Sequence, residues 1–137
     1  MTGKNKKIKA GTIITSHVNA DFDAIGAMLA AQKLYPEAVI IFPGSQEKSL
    51  RDFFISSMSY LFNMADPERI DFSETTTLVI VDTRQANRLT RVLELLEKKD
   101  LFIEIYDHHP PMNNDIRGNV DISKAYGATT TILSEIL

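Results

Sequence analysis

Leu101-Phe102-Ile103-Glu104-Ile105-Tyr106-Asp107-His108-His109-Pro110-Pro111 is the stretch from which the rest of the chain can be read. Its first six residues form a mainly apolar run that reads as a buried strand. The two prolines forbid its continuation, because proline has no N–H to give to a sheet ladder. A carboxylate and two imidazoles are therefore delivered together at the strand's C-terminal end, where open α/β sheets bind their ligands. The chain contains three histidines. The third, His17, also follows an apolar run, Thr12-Ile13-Ile14-Thr15-Ser16, and it opens His17-Val18-Asn19-Ala20-Asp21-Phe22-Asp23. A further run, Leu78-Val79-Ile80-Val81, ends in Asp82. Three strands thus end in side chains that bind metal, and no histidine is left over.

Outward from these three points the chain alternates strand and helix. The apolar runs predict strands at 11–16, 38–42, 77–82 and 101–106, with short strands at 69–72 and 119–122. Helices are predicted at 24–34, 47–63 and 86–99, and a final one opens at Tyr126-Gly127-Ala128-Thr129-Thr130. Asp23 is the expected N-cap of the first helix, whose alanines at 24, 27, 30 and 31 allow close packing. In the third helix, Leu89, Val92, Leu93 and Leu96 fall on the face expected to point inward. Strands that are near-continuous apolar runs, separated by amphipathic helices, imply a mostly parallel sheet covered on both faces. The expected fold class is α/β: a doubly wound, mostly parallel sheet with helices on both faces.

Composition bounds the function. At 137 residues this is one domain with enough chain for a substantial core, and 44% apolar residues is ordinary for a globular protein. The absence of cysteine excludes disulfides, thiolate metal sites and a cysteine nucleophile, and fits a reducing, cytoplasmic setting. Lys4, Lys6, Lys7 and Lys9 form a solvated tail, since the apolar run after them is too short for a signal peptide. No stretch approaches a membrane span. A net charge of −3 leaves no global basic footprint for nucleic acid.

His17, Asp21 and Asp23 stand in one strand-to-helix loop, and Asp82 and His108 arrive from two other strand ends. Carboxylates with a minority of imidazoles suit Mn²⁺ or Mg²⁺, with other divalent ions possible. Five candidate ligands exceed what one open catalytic ion takes from protein. Two ions about 3.5–4 Å apart, with Asp82 as the natural bridge, account for them better. Each group has a plainer reading alone. An Asp-x-Asp in a loop caps a helix, and a His-His pair is more often surface or core. It is the coincidence of all three groups at strand C-termini that favours a site. Gly44-Ser45 reads as a turn, and Arg84 and Arg88 as solvated residues at a helix start, ahead of any phosphate-binding role.

His17-x-x-x-Asp21-x-Asp23-Ala24-Ile25-Gly26, then Asp82, then Asp107-His108-His109-Pro110, then Gly127-Ala128-Thr129-Thr130-Thr131 resemble the motifs of the DHH phosphoesterase superfamily. That superfamily includes RecJ-like exonucleases, oligoribonucleases, cyclic-dinucleotide phosphodiesterases and exopolyphosphatase-related proteins. The resemblance covers nearly the whole chain. It implies that His17, Asp21, Asp23, Asp82 and His108 are ligands of two Mn²⁺ ions. It also implies that His109 faces the substrate phosphate and that Asp107 orients a histidine. The stretches Phe42-Pro43-Gly44-Ser45-Gln46 and Leu50-Arg51-Asp52-Phe53 further resemble the DHH module of bacterial tRNA nucleotidyltransferase and poly(A) polymerase-like proteins.

The resemblance sets the functional expectation. It is a two-metal phosphoesterase domain hydrolysing phosphodiester or phosphoanhydride bonds of nucleotides, oligonucleotides or polyphosphate. The alternative is a non-catalytic nucleotide-sensing or regulatory module within a tRNA nucleotidyltransferase-type protein. A phosphatase using Asp21 as nucleophile fits less well, because it leaves the histidines unexplained. The family's last metal-ligand aspartate and its C-terminal substrate domain lie beyond these motifs. The chain is therefore expected to be a truncated N-terminal domain, with weak or no turnover alone and with RNA reached through further domains.

Overall fold

The computed structural model describes residues 8–17, 22–41, 56, 63–65, 69–83, 91–107 and 115–123. In chain order these give β1 (Ile8–Lys9), β2 (Thr12–Thr15), α1 (Phe22–Leu34), β3 (Val39–Ile41), β4 (Met64–Ala65), β5 (Ile70–Asp71), β6 (Thr77–Val81), β7 (Phe102–Asp107) and β8 (Val120–Ser123). A 3-10 turn (Phe72–Glu74) precedes β6, and a 3-10 helix (Arg91–Glu97) precedes β7. Apart from Ser56, which is helical, and Asn63, the predicted helix at 47–63 lies outside the described residues, as do the helix opening at 126 and Gly44, Ser45, Arg84 and Arg88.

Among the described residues, six strands form one sheet in the order β4-β3-β2-β6-β7-β8, and every pairing is parallel. β1 and β5 form a separate parallel pair. Strands buried on both faces must be apolar at consecutive positions, and here they are. Ile14, Ile40, Val79, Val81 and Tyr106 pack under α1, against Ala24, Ala27, Met28 and Ala31. Their neighbours Ile13, Val39, Ile41, Leu78, Ile80 and Ile105 face the other way, against Ile70 and Leu95. Each large aliphatic side chain withdrawn from water in this way contributes roughly 1.5–3 kcal/mol. Ala24, Ala27 and Ala31 of α1 are fully buried, so the helix backbone approaches the sheet closely, while Ala30 is partly buried. This is the expected doubly wound α/β architecture, with α1 on one face and the 3-10 helix on the other among the described residues.

Two polar side chains, Gln32 buried and Lys98 half-buried, fix how the layers connect. Gln32, near the end of α1, donates to the carbonyls of Ala38 (2.8 Å) and Asn63 (3.0 Å), the residues just before β3 and β4. Lys98 donates its ammonium protons to the carbonyls of Phe72, Ser73 and Thr75 at 2.8, 3.2 and 2.9 Å. Those carbonyls sit at the 3-10 turn that leads into β6.

Two sequence expectations require correction. The segment before β7 is wound as a 3-10 helix over its described part, not as an α-helix. Three residues per turn place positions i and i+3 in line, which moves the inward face. Leu95 is the fully buried residue, whereas Leu93, expected inward, is 39% exposed. Lys98 follows the helix directly, its N–H donating to the Leu95 carbonyl at 3.0 Å, and its ammonium meets the three carbonyls. Secondly, α1 begins at Phe22, so Asp23 is inside the first turn and does not cap it. A first-turn position still suits an acidic residue, because the helix dipole is positive there.

Candidate metal centre

The register of the sheet sets one row of residues abreast. Thr12 pairs with Thr77 and Thr77 with Phe102. Counting five residues on from each gives His17, Asp82 and Asp107. These three stand at the same level, at the C-terminal ends of the adjacent strands β2, β6 and β7. Between β2 and β6 the winding of the sheet changes direction: the chain leaves β2 for β3 on one side, while β6 lies on the other. Such a switch point opens a crevice at the strand C-termini.

Hydroxyls hold the crevice apart. Thr15 Oγ1 donates to the carbonyl of Ile41 at 3.1 Å, and Ser16 Oγ donates to that of Val81 at 2.7 Å. Both residues are fully buried, so the end of β2 is tied to both neighbouring strands just before His17. His17 Nε2 then lies 3.2 Å from Asp82 Oδ2, with both side chains almost entirely withdrawn from water. Asp82 has φ 63°, the left-handed region that aspartate tolerates better than most residues. Its N–H donates to the carbonyl of Tyr106 at 2.8 Å. The backbone thus turns sharply at Asp82 while staying attached to β7, and the carboxylate meets His17. Asp107, the last residue of β7, is 1% exposed.

These positions suit a divalent cation. A carboxylate buried this far costs several kcal/mol unless something offsets its charge. A nitrogen and an oxygen 3.2 Å apart also have the spacing of neighbouring ligands held about 2.1 Å from one ion. Of the expected site residues, the structure brings His17 and Asp82 together and sets Asp107 beside them. Asp21, His108 and His109 lie outside the described residues, and of Asp23 the backbone alone is described. Among the described residues, no three His, Asp or Glu side chains converge on one point.

One cluster near the site was not singled out from sequence. Tyr35, just past α1, donates its hydroxyl proton to the carboxylate of Glu104. The hydroxyls of Tyr35 and Tyr106 lie 3.2 Å apart. Burial raises the pKa of Tyr35 well above the ordinary tyrosine range, and its hydrogen bond to Glu104 adds to the effect. Burial likewise raises that of Tyr106, with the Glu104 charge adding to it. The available signal was a glutamate and a tyrosine two residues apart in a strand otherwise rich in apolar side chains. That spacing puts both on the face that α1 covers.

Comparison with known proteins shows the family and the fold. Residues 11–137 match the DHH family, N-terminal domain. Over 125 residues, 91% of this chain, the sequence is 45% identical to an A-adding tRNA nucleotidyltransferase of Geobacter sulfurreducens. The chain spans 14% of that relative's length. Among solved structures, an exopolyphosphatase-related protein from Bacteroides fragilis superposes with a TM-score of 0.65 at 19% identity. That match covers 91% of this chain and 38% of the other, and at this identity it is a likeness of fold. No helix among the described residues is long and apolar enough to cross a membrane.

Proposed function

This chain belongs to the DHH family and has the fold of that phosphoesterase superfamily, and from that premise we propose that it is a two-metal phosphoesterase domain. Its substrates would be phosphodiester or phosphoanhydride bonds in nucleotides, oligonucleotides or polyphosphate. The observation that supports this reading is the buried pairing of His17 with Asp82 at the switch point, level with Asp107.

His17, Asp21, Asp23, Asp82 and His108 would hold the ions, with Mn²⁺ the first choice and Mg²⁺ or another divalent ion possible. Bound there, such ions acidify a water and neutralise charge on a phosphoryl group. The chain's own contribution is position. The hydroxyls of Thr15 and Ser16 fix the end of β2, and the turn at Asp82 aims a carboxylate into the crevice. Asp107, buried at the strand end, would orient a histidine of the following pair, and His109 would contact the substrate phosphate.

A second reading is favoured by the 45% identical relative, whose name describes nucleotidyl transfer and not hydrolysis. In it the module binds a nucleotide or RNA within a longer cytoplasmic protein without turning it over. The two readings part in one experiment. Mn²⁺ affinity is measured by calorimetry on chelator-treated protein, and phosphodiester hydrolysis on the same preparation, with His108→Ala and His109→Ala beside the wild type, all in the longer parent protein expected to carry this domain. A hydrolase loses metal and activity together in His108→Ala. In His109→Ala it keeps Mn²⁺ affinity but loses about 10²-fold or more in rate, the scale of one lost transition-state donor. Mn²⁺ binding with no hydrolysis of any phosphoester supports the sensor, and no Mn²⁺ binding overturns both.

A further inference from the structure

We propose that Tyr106, anchored by Tyr35 and Glu104, is a positioning residue that sets the backbone of Asp82 and the end of β7. The inference rests on the metal-centre reading for its consequence, but not for its geometry. Tyr106 is held at both ends. Its carbonyl accepts the Asp82 N–H at 2.8 Å, a sheet contact at the residue whose backbone turns left-handed. Its hydroxyl lies 3.2 Å from that of Tyr35, whose own proton is committed to the Glu104 carboxylate. The Tyr106 proton therefore has the Tyr35 oxygen as its acceptor.

Tyr106 is 4% exposed and packs among Val79, Val81 and Ile14 beneath α1, so the ring has little room to shift. The next residues in the chain are Asp107, His108 and His109. A rotation of β7 about its own axis would move the Tyr106 carbonyl away from Asp82. It would also carry the Asp107 carboxylate out of the row it shares with His17. The hydroxyl chain from β7 to Tyr35 resists that rotation, because Tyr35 is joined to α1 through the bond from its N–H to the Ala31 carbonyl at 3.1 Å. Strand packing alone does not require a glutamate and two hydroxyls here, since apolar residues would fill the same face.

The test is Tyr35→Phe, which keeps the ring and removes one oxygen, and it has two readouts. The first is amide hydrogen exchange at Asp82 in metal-free protein, expected to speed up about five-fold, the factor for one ordinary hydrogen bond. The second is Mn²⁺ affinity by calorimetry, expected to weaken by a similar factor. Ile40→Val, a core change of comparable cost on the same face of the sheet but in β3, serves as the control for general loosening. It should move neither readout at Asp82. Glu104→Gln keeps an acceptor for the Tyr35 hydroxyl and should stay near wild type, whereas Glu104→Leu should behave like Tyr35→Phe. Unchanged Asp82 exchange in Tyr35→Phe, or equal acceleration in Ile40→Val, overturns the positioning role while leaving the metal reading intact. Wild-type protein without Mn²⁺ affinity overturns the metal reading, and the exchange measurement still decides the role of Tyr106.

Discussion

Asp82 carries two separable demands, one on its backbone and one on its carboxylate, and paired substitutions pull them apart. Asp82→Ala and Asp82→Gly both delete the carboxylate that stands 3.2 Å from His17 Nε2. They differ in what they do with φ 63°. An alanine held there pays the left-handed penalty of roughly 1–2 kcal/mol, which glycine escapes. Glycine gives back roughly 0.5–1 kcal/mol through the greater freedom of its unfolded chain. The balance leaves Asp82→Gly the more stable by about 0.5–1 kcal/mol, a gap of a few degrees in melting temperature for a domain of this size. Removing a ligand should cost at least the 10–100-fold in metal affinity that losing a supporting partner costs, and equally in both variants. Urea unfolding of the metal-free proteins and Mn²⁺ calorimetry measure the two quantities independently. An Asp82→Ala variant as stable as Asp82→Gly would refute the left-handed turn. Wild-type Mn²⁺ affinity in either would refute Asp82 as a ligand.

Gly118 precedes β8, and a methyl group there would stand 2.8 Å from the Val120 carbonyl oxygen and 3.1 Å from Ile105 Cγ1. Gly118→Ala should therefore destabilise the chain by about 1–3 kcal/mol, read as a lower urea midpoint with an unchanged slope. Alkaline stability provides a further check. Because burial raises the pKa of Tyr35 and Tyr106 above 10.0, the folded state keeps protons that the unfolded chain releases. Stability must therefore fall as pH rises through about 10, and Tyr35→Phe should show a shallower fall than wild type in urea unfolding between about pH 9 and about pH 11.

Much of the fold was readable because its signals are long. The runs around Ile13, Ile40, Val79 and Ile105 are apolar at consecutive positions, a pattern a strand needs only when both its faces are covered. From that alone a parallel, doubly covered sheet follows, and the structure has it. What was not readable depends on winding and on the exact start of a helix. The spacing of leucines before β7 fits α-helical periodicity well enough to turn Leu93 inward. The 3-10 winding selects Leu95 instead, and local propensity does not choose between the two. Asp23 looked like a cap because it precedes an alanine-rich run. The helix starts two residues before the expected Ala24, at Phe22, and helix ends are the least determined feature of any local pattern.

The candidate site was legible as chemistry before it was legible as geometry. Sequence placed His17, Asp82 and Asp107 at strand ends, but strand ends in a six-stranded sheet can lie far apart. Two further facts bring these together, and both are tertiary. β2 and β6 are neighbours although 61 residues separate the ends of those strands, Thr15 before α1 and Thr77 at the start of β6 differing by 62 in number. Their register is such that His17 and Asp82 fall at one level without a slip. A shift of one residue would turn the whole inward set of β2 to the opposite face, so the two packed faces of the sheet enforce the register. The apolar core that makes the sheet parallel thus also sets the level at which the carboxylate and the imidazole meet. A core substitution that allowed β2 to slip would be expected to abolish the site before it unfolded the domain.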